Sequence, residues 1–447
     1  MKLTFHGGAK SVTGANYLLE SGGTEILIDC GLEQGGGFCE NENWSPFLYD
    51  VTRVAAIFPT HAHIDHTGRL PKIVKEGFRG TVYSTAPTRE AAQLLLEDSD
   101  HILADEAERC KQKVIFEAKD IHTLMALWKT MEYHQSVHVG PFTVTAMNSA
   151  HVLGSSFLLV EAEGKKIIFS GDMGNAPMPL LGSPELMPKA DYCVIESAYG
   201  DRIHEDLPRR KEILEDVIEE TIKRGGTLMI PAFAMERTQE ILFEIDDLVT
   251  RGRIPHIPVF LDSPLAIKLT AVYKKYDNYF DHPKGKQHRG EHDFSFSSLR
   301  QTITTAESRS INEVRGAKVI VAGSGMMHGG RILHHAKRYL PDPNSTLLIV
   351  GYQARNSLGR QILDGVPTIT IHGETVPVRA HIKAIGGYSA HADQNQLLHW
   401  IYPVRGSLKK VFIVQGEEEA AEALRVRIVD KFAVHASVPS RGDEVVL

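Results

Sequence analysis

The residues best suited to chemistry are three histidines and one aspartate that lie within six positions: His61, His63, Asp65 and His66, in the segment THAHIDHTG. Neutral imidazoles and carboxylates are ligands that zinc takes in proteins. The segment follows the apolar, β-rich run VAAIFPT (residues 54–60). A loop leaving a buried strand can direct these side chains towards two metal ions, which we favour over a merely histidine-rich surface loop.

Two further positions carry the chemistry that this cluster lacks. His151 in SAHVLGSS lies between strand-like segments, and Asp172 in FSGDMG follows an apolar strand. Alone, each is more often structural, since an aspartate at such a place commonly caps a turn. Together with the cluster they add a third nitrogen ligand and a carboxylate able to bridge two ions. Asp29, after the strand TEILI, is predicted to orient one of the ligands.

The elements that must position these residues change in type near residue 200. The preceding segment reads as short strands with glycine turns, interrupted by a helix over roughly Thr88 to Lys113. Beyond residue 200, amphipathic helices alternate with apolar strands, which predicts a parallel α/β sheet with helices on both faces. The last 60 residues return to a helix and the strand KKVFIVQGEEE.

Composition excludes several classes of protein. A chain of 447 residues with 42% hydrophobic and 23% charged residues is expected to form two or three globular domains. It has no run of roughly 18 apolar residues and no signal-peptide pattern at its start. The four cysteines (Cys30, Cys39, Cys110 and Cys193) form no CxxC pair, so we expect reduced thiols and a cytoplasmic protein.

Charge argues against a protein that binds nucleic acid by bulk electrostatics, because the net charge is −7. The middle of the chain, residues 201–383, is less acidic than the remainder. A polyanion is therefore expected to contact this middle segment.

These motifs resemble the metallo-β-lactamase superfamily, whose signature is HxHxDH followed by a separate histidine and a separate aspartate. They are most similar to its β-CASP branch of nucleic-acid-cleaving enzymes, which includes the RNA-processing endonuclease of messenger 3′-end formation. The resemblance covers essentially the whole chain, and its motifs occur in the expected order: LEQGG, THAHIDHTGRLP, AHVLGS, ESAYGDR, PAFAMERTQE, LDSP and SAHAD.

The resemblance implies a particular arrangement of domains. The expected fold class is α/β: a metallo-β-lactamase αββα sandwich formed by residues 1–200 and 384–447, with a β-CASP α/β domain at residues 201–383 inserted as a parallel sheet. The active site is then expected in the cleft between the two domains.

The resemblance also implies the ligands of two zinc ions. One zinc would be held by His61, His63 and His151, the other by Asp65 and His66, with Asp172 between them. The family's three additional positions fall on Glu196, His391 and Gln415. The third departs from the pattern, since active members usually have a histidine there. A glutamine offers only a neutral amide oxygen, a poorer zinc ligand, so a weakened second metal is expected.

The implied reaction is hydrolysis of a phosphodiester. Two metal ions about 3.5–4 Å apart lower the pKa of a shared water and neutralise phosphate charge. Asp172 would position the nucleophile, and His391 would protonate the leaving oxygen while Glu196 holds its tautomer and charge state. Without the resemblance, a capping or core histidine would be the better interpretation of His391.

Residues expected to hold RNA are basic, or lie in turns where backbone amides can bind phosphate. They are Arg237, Gly329, Arg331, Ser389, Arg355 and Arg360. Purely structural roles are about as well supported by the sequence for this whole set.

The leading hypothesis is therefore a zinc-dependent ribonuclease of the short bacterial type that acts on single-stranded RNA. The resemblance implies that it cuts within the strand, and that it serves RNA processing or decay. Three alternatives stay open: a thioester or lactone hydrolase of the same fold, disfavoured by the inserted segment; an RNA-binding scaffold weakened at Gln415; and a DNA-directed nuclease. The sequence leaves a homodimer open and predicts no membrane contact.

Overall fold

The computed structural model describes residues 1–34, 39, 42–204, 209–281, 294, 296–351, 353 and 357–447. These residues divide into two compact units. Unit 1 comprises Met1–Ile203 and His391–Leu447, and unit 2 comprises His204–Ala390.

The first segment of unit 1 is built mainly from strands, as its glycine-punctuated apolar runs predict. Its elements are β1 (Lys2–Gly7), β2 (Asn16–Ser21), β3 (Thr24–Ile28), β4 (Val54–Phe58), α1 (Ile64–Thr67), α2 (Leu70–Lys75), β5 (Thr81–Ser84), α3 (Ala86–Arg109), α4 (Ala118–Leu127), β6 (Trp128–Thr130), β7 (Ser136–Val139), β8 (Phe142–Asn148), β9 (Ser156–Ala162), β10 (Lys165–Phe169) and β11 (Tyr192–Glu196).

Unit 2 alternates helices and strands. Its elements are α5 (Arg209–Arg224), β12 (Thr227–Pro231), α6 (Arg237–Thr250), β13 (Val259–Leu261), α7 (Pro264–Lys275), β14 (Leu299–Gln301), α8 (Thr305–Ser310), β15 (Lys318–Ala322), α9 (Arg331–Tyr339), β16 (Thr346–Ile349), α10 (Leu358–Leu363), β17 (Thr368–Ile371), β18 (Glu374–Pro377) and β19 (His381–Ala384). The chain then returns to unit 1 through α11 (Gln394–Ile401), β20 (Lys410–Val414), α12 (Glu418–Phe432), β21 (His435–Ser437) and β22 (Glu444–Val446).

Two sheets form the body of unit 1 in the described residues. Their strand orders are β22-β1-β2-β3-β4-β5-β6 and β21-β20-β11-β10-β9-β8-β7. The two-residue period of β9 shows how they are covered: Leu158 and Val160 enter the core shared by both sheets, whereas Phe157 and Leu159 pack with side chains of α11 and α12. Burial of both faces makes a sandwich with helices outside.

Unit 2 is built on a sheet whose strands pair in parallel, in the order β14-β13-β15-β12-β16-β19. Its strands are short apolar runs because a parallel sheet is covered on both faces. The carboxyl ends of all these strands lie on one edge. The predicted fold class, an α/β chain with a lactamase-like sandwich and a parallel-sheet insertion, is confirmed.

The prediction of reduced thiols is wrong for two of the four cysteines. Cys39 and Cys110 form a disulfide, whose Cα atoms are 5.2 Å apart although 71 positions separate them in the chain. Spacing along the sequence carries no signal for such a pair, because Cys110, which follows α3, meets Cys39 only in the folded unit. Cys30 and Cys193 are buried free thiols.

Among the described residues, no helix combines the length and the apolar character that crossing a bilayer requires.

Candidate metal centre

The loop that follows β4 is held by backbone hydrogen bonds to the segment that follows β3. Cys30 N donates to His66 O at 2.8 Å, and Leu32 N donates to Ile64 O at 2.9 Å. Between them, Gly31 passes so close that a Cβ would lie 1.5 Å from the Asp65 carbonyl oxygen. The absence of a side chain at Gly31 therefore allows the ligand loop to sit on this support.

The first group of donor atoms comes from three histidines and one carboxylate. His63 Nδ1 lies 3.0 Å from His61 Nε2 and 3.3 Å from His151 Nε2. Asp172 Oδ2 lies 3.5 Å from each of those two Nε2 atoms. Four ligands bound at about 2.0–2.1 Å to a tetrahedral zinc are separated by about 3.3 Å, so these spacings suit one ion.

The second group uses the other oxygen of the same carboxylate. Asp172 Oδ1 lies 3.3 Å from His66 Nε2, and Asp65 Oδ2 lies 3.8 Å from that nitrogen. Asp172, only 4% exposed, thus presents one oxygen to each group. Apart from Gln415, the residues predicted as metal ligands come together in these two groups: His61, His63, Asp65, His66, His151 and Asp172. Their nitrogen and carboxylate donors fit zinc.

Burial and neighbouring charges prepare these groups for a cation. Burial lowers the pKa of His61 well below its usual value and lowers the pKa of His63 to about 4, so both rings are neutral at pH 7. Burial opposes ionisation of Asp172, yet the charged rings of His66 and His391 outweigh it and hold its pKa well below the usual range. Neutral imidazoles at His61 and His63 beside the ionised Asp172 are the protonation states that metal binding needs. Burial lowers the pKa of His66, but Asp172, Asp29 and Asp65 outweigh this effect and raise it well above its usual value, so this ring must lose its proton when a cation binds.

A buried aspartate and a threonine orient the ligands from behind. Asp29 Oδ2 lies 2.8 Å from His66 Nδ1, and Asp29 Oδ1 accepts a 2.7 Å bond from the Thr60 backbone N–H. Thr60 Oγ1 also lies 3.1 Å from His61 Nδ1. These contacts direct the Nε2 atoms of both histidines towards the site. Thr60 was not singled out from the sequence, although it opens the motif.

His391 lies against Glu196, next to the Asp172 carboxylate that both groups of donor atoms share. Its Nδ1 is 3.2 Å from Glu196 Oε2 and 3.8 Å from Asp172 Oδ2, and its side chain is 28% exposed. Burial lowers the pKa of His391, but Glu196 and Asp172 outweigh this effect and raise it to about 9. Glu196 Oε1 accepts a 2.6 Å bond from the Met173 N–H, which fixes the carboxylate. The ring is therefore charged and held in one orientation.

Gln415 points into the second group of donor atoms. Its Nε2 lies 2.9 Å from His66 Nε2 and 2.9 Å from Asp172 Oδ1, and the residue is 3% exposed. The Tyr17 hydroxyl donates to the Gln415 Oε1 at 3.4 Å. An amide N–H cannot ligate a cation, so the side chain must rotate or stay aside when the second group binds metal. Tyr17 is a further contact that the sequence did not indicate.

Comparisons with known proteins agree with this geometry. Residues 18–182 match the model of the metallo-beta-lactamase superfamily domain, residues 238–362 the Beta-Casp domain, and residues 375–439 the Zn-dependent metallo-hydrolase RNA specificity domain. The chain is 38% identical to Ribonuclease TTHA0252 of Thermus thermophilus over 95% of both chains. It belongs to the β-CASP family of the metallo-β-lactamase superfamily.

Two further comparisons are with more distant proteins. The chain is 31% identical to the transcription termination factor FttA of Methanocaldococcus jannaschii, covering 100% of this chain and 71% of that relative. A solved structure of a protein of unknown function from Enterococcus faecalis V583 shares the fold, with a TM-score of 0.62 at 12% identity over 100% of this chain and 99% of that one. The predicted family is confirmed, and its domains are those of a metal-dependent hydrolase of the nuclease type.

Three of the arginines predicted to hold RNA are among the described residues, all in unit 2, and two of them have partners within the fold. Arg237 is buried, forms an ion pair with Glu240, and lies 5.3 Å from the centre of the Tyr388 ring. Arg331 donates to Asp262 Oδ1 at 2.7 Å and to the carbonyl oxygens that follow β14. The structure accounts for both side chains through these internal contacts.

The remaining predicted RNA contacts differ in exposure. Arg360, in α10, is exposed and pairs with Asp364 four residues later at 2.9 Å. Gly329 N donates to Ser324 Oγ at 3.2 Å, and a Cβ at Gly329 would meet nothing within 4 Å. Ser389 is 8% exposed and follows the 3-10 turn Gly386–Tyr388. Arg355 lies outside the described residues.

Proposed function

We propose that this protein is a zinc-dependent ribonuclease that hydrolyses phosphodiester bonds of single-stranded RNA, cutting within the strand. One observation carries the proposal: two groups of donor atoms, most of them buried, that share Asp172 through its two carboxylate oxygens. Two adjacent cation sites bridged by one carboxylate suit phosphodiester hydrolysis, in which both the attacking and the leaving oxygen need stabilisation.

The choice of RNA as substrate is supported by the relatives. The relative from Thermus thermophilus is named a ribonuclease, and it matches this chain over nearly its whole length. The matched C-terminal model describes an RNA specificity domain of zinc-dependent metallo-hydrolases. A thioester or lactone as substrate has no comparable support.

The proposed roles follow from the geometry. When two zinc ions are bound by the ligands named above, they supply a nucleophile at neutral pH and neutralise phosphate charge. Asp172 holds both groups of ligands in register. His391, charged and held by Glu196, carries a proton at the edge of the site and would deliver it to the leaving oxygen.

The test is cleavage of an end-labelled single-stranded RNA by the zinc-loaded protein. Internal fragments are expected from the wild type and from Asp105→Ala, an exposed change in α3. Asp65→Ala and His63→Ala should produce no fragments, and a chelator should abolish cleavage by the wild type. Cleavage by Asp65→Ala equal to that of the wild type would overturn the assignment, and cleavage of single-stranded DNA alone would move the substrate to DNA.

A second candidate function rests on Gln415, whose amide lies against His66 and Asp172. If this contact prevents the second group from binding zinc, the protein would be an RNA-binding scaffold. Stoichiometric measurement separates the two: the ribonuclease should hold two zinc ions per chain, whereas the scaffold should hold fewer and retain RNA without cutting it.

The proposal also covers the cellular location, the functional domains and the oligomeric state of the protein. We place the protein in the cytoplasm, where single-stranded RNA is the expected partner, and we propose residues 1–200 with 384–447 and residues 201–383 as its functional domains. We retain a homodimer as the state to be tested by light scattering.

A further inference from the structure

One phenylalanine of unit 2 is exposed to solvent, although large apolar side chains are usually buried. Phe233 follows β12 at the carboxyl edge of the parallel sheet, and it is 44% exposed. Among the phenylalanines in the described residues it is the only exposed one. The carboxyl edge of a parallel α/β sheet is where such folds bind their ligands.

The ring rests on backbone rather than on side chains. A Cβ at Gly325 would lie 2.7 Å from Phe233 Cδ2 and 3.0 Å from its Cγ, so the ring fits only because position 325 has no side chain. Gly351, after β16, also lies beneath the ring, with its Cβ position 4.0 Å from Phe233 Cε2. Gly325 follows β15 and Gly351 follows β16, the two strands that flank β12, so a glycine from each side supports one part of the ring.

Hydrogen bonds hold this floor and the ring's own backbone in place. Gln353, which is 4% exposed, donates from Nε2 to the carbonyl oxygens of Gly325 at 3.0 Å and Gly351 at 3.3 Å. Thr238 Oγ1, in the first turn of α6, donates to Phe233 O at 2.7 Å. The ring is thus presented to solvent from a fixed support, which lowers the entropic cost of binding a partner.

We propose that Phe233 is a stacking platform for one base of the single-stranded RNA. The inference rests on the proposed function. A flat ring that is backed by peptide and open to solvent matches the face of an unpaired base, and every base offers such a face. The platform adds RNA affinity without selecting a base, because stacking on a ring does not read the hydrogen-bonding edge of the base.

The first experiment compares cleavage kinetics of Phe233→Leu, Phe233→Trp and wild type on a short single-stranded RNA. Leucine keeps an apolar body over the two glycines but removes the flat ring, whereas tryptophan restores a ring. We expect Phe233→Leu to raise KM about 10-fold with little change in kcat, and Phe233→Trp to restore KM. Leu363→Ala, another exposed apolar change in unit 2, is the matched control and should leave KM unchanged.

The second experiment places one abasic nucleotide at each position of the same RNA in turn. In the wild type, one position should raise KM by a similar factor, and in Phe233→Leu that position should have no further effect. A wild type that neither binds nor cleaves RNA would refute the proposed function itself. A wild type that cleaves RNA while Phe233→Leu keeps the wild-type KM would refute the platform alone.

Discussion

Polar residues cluster in both units, but they are partnered in different ways. In unit 1, His61 and His151 place their Nε2 atoms 3.5 Å from one oxygen of Asp172, and His63 Nδ1 lies beside both nitrogens. Burial keeps the His61 and His63 rings neutral. In unit 2, by contrast, Asp262 is fully buried and is bonded by Arg331 at 2.7 Å and His335 at 2.7 Å. The unit 1 cluster offers its donor atoms to a bound cation, whereas the unit 2 cluster already contains a cation, the Arg331 side chain.

This difference separates a binding site from a structural network. Several donor atoms converging on one point are costly to bury unless a cation joins them. A buried carboxylate that already has an arginine, a histidine and hydroxyl donors has its charge compensated internally, and these bonds hold the pKa of Asp262 far below its usual range despite burial. The unit 1 cluster should therefore control activity, whereas the unit 2 network should control stability.

Apart from loss of a metal ligand, the largest effect is expected at the edge of the unit 1 cluster. His391→Ala should lower kcat about 10²- to 10⁴-fold with both zinc ions retained, because the proposed proton donor is lost and the metal ligands are not. A time course of RNA cleavage measures kcat, and metal analysis of the same sample measures the zinc content. Loss of zinc together with activity would instead make His391 a ligand.

The unit 2 network is tested by Asp262→Ala. Removing this carboxylate leaves the Arg331 charge and the buried His335 uncompensated, and the free energy of unfolding should fall by about 3–5 kcal/mol. Urea unfolding measures it, with Asp364→Ala as the exposed control. A variant that unfolds like the wild type but binds RNA poorly would show that the network serves RNA rather than the fold.

The departure at position 415 predicts a smaller gain. Gln415→His should tighten the second zinc about 10-fold, since a ring nitrogen would replace an amide next to His66 and Asp172. Zinc titration against a competing chelator measures the affinity, and the exposed change Gln112→His serves as control. An unchanged titration would mean that position 415 does not contribute to the metal site.

The smallest effect is expected at Arg360, whose exposed pairing with Asp364 leaves it accessible to phosphate. Arg360→Gln should weaken RNA binding a few-fold and reduce the slope of log affinity against log salt by about 0.7, with stability changed by less than about 1 kcal/mol. Fluorescence anisotropy at several salt concentrations provides the slope. An unaltered slope would mean that Arg360 does not contact a phosphate of the bound RNA.

Much of the fold and of the metal centre could be predicted because their signals are local. HxHxDH places four ligands on one loop, and the alternation of apolar strands with amphipathic helices after residue 200 indicates a parallel sheet. The RNA contacts could not be predicted in this way, since whether Arg237 is available depends on Glu240 and Tyr388. Phe233 was missed for the same reason: its exposure depends on two glycines far away in the chain.

The sequence by itself determined the family through the order of its motifs, and the two-part architecture through the change of pattern near residue 200. It also determined the chemical identity of the metal ligands, because residue type and spacing within a loop limit the ions that the loop can bind. The tertiary structure decided which charges are neutralised internally, that Cys39 meets Cys110, and that Asp172 offers one oxygen to each group of ligands. These features join residues tens to hundreds of positions apart. Their distances are set by the packing of strands and helices, which no local pattern encodes.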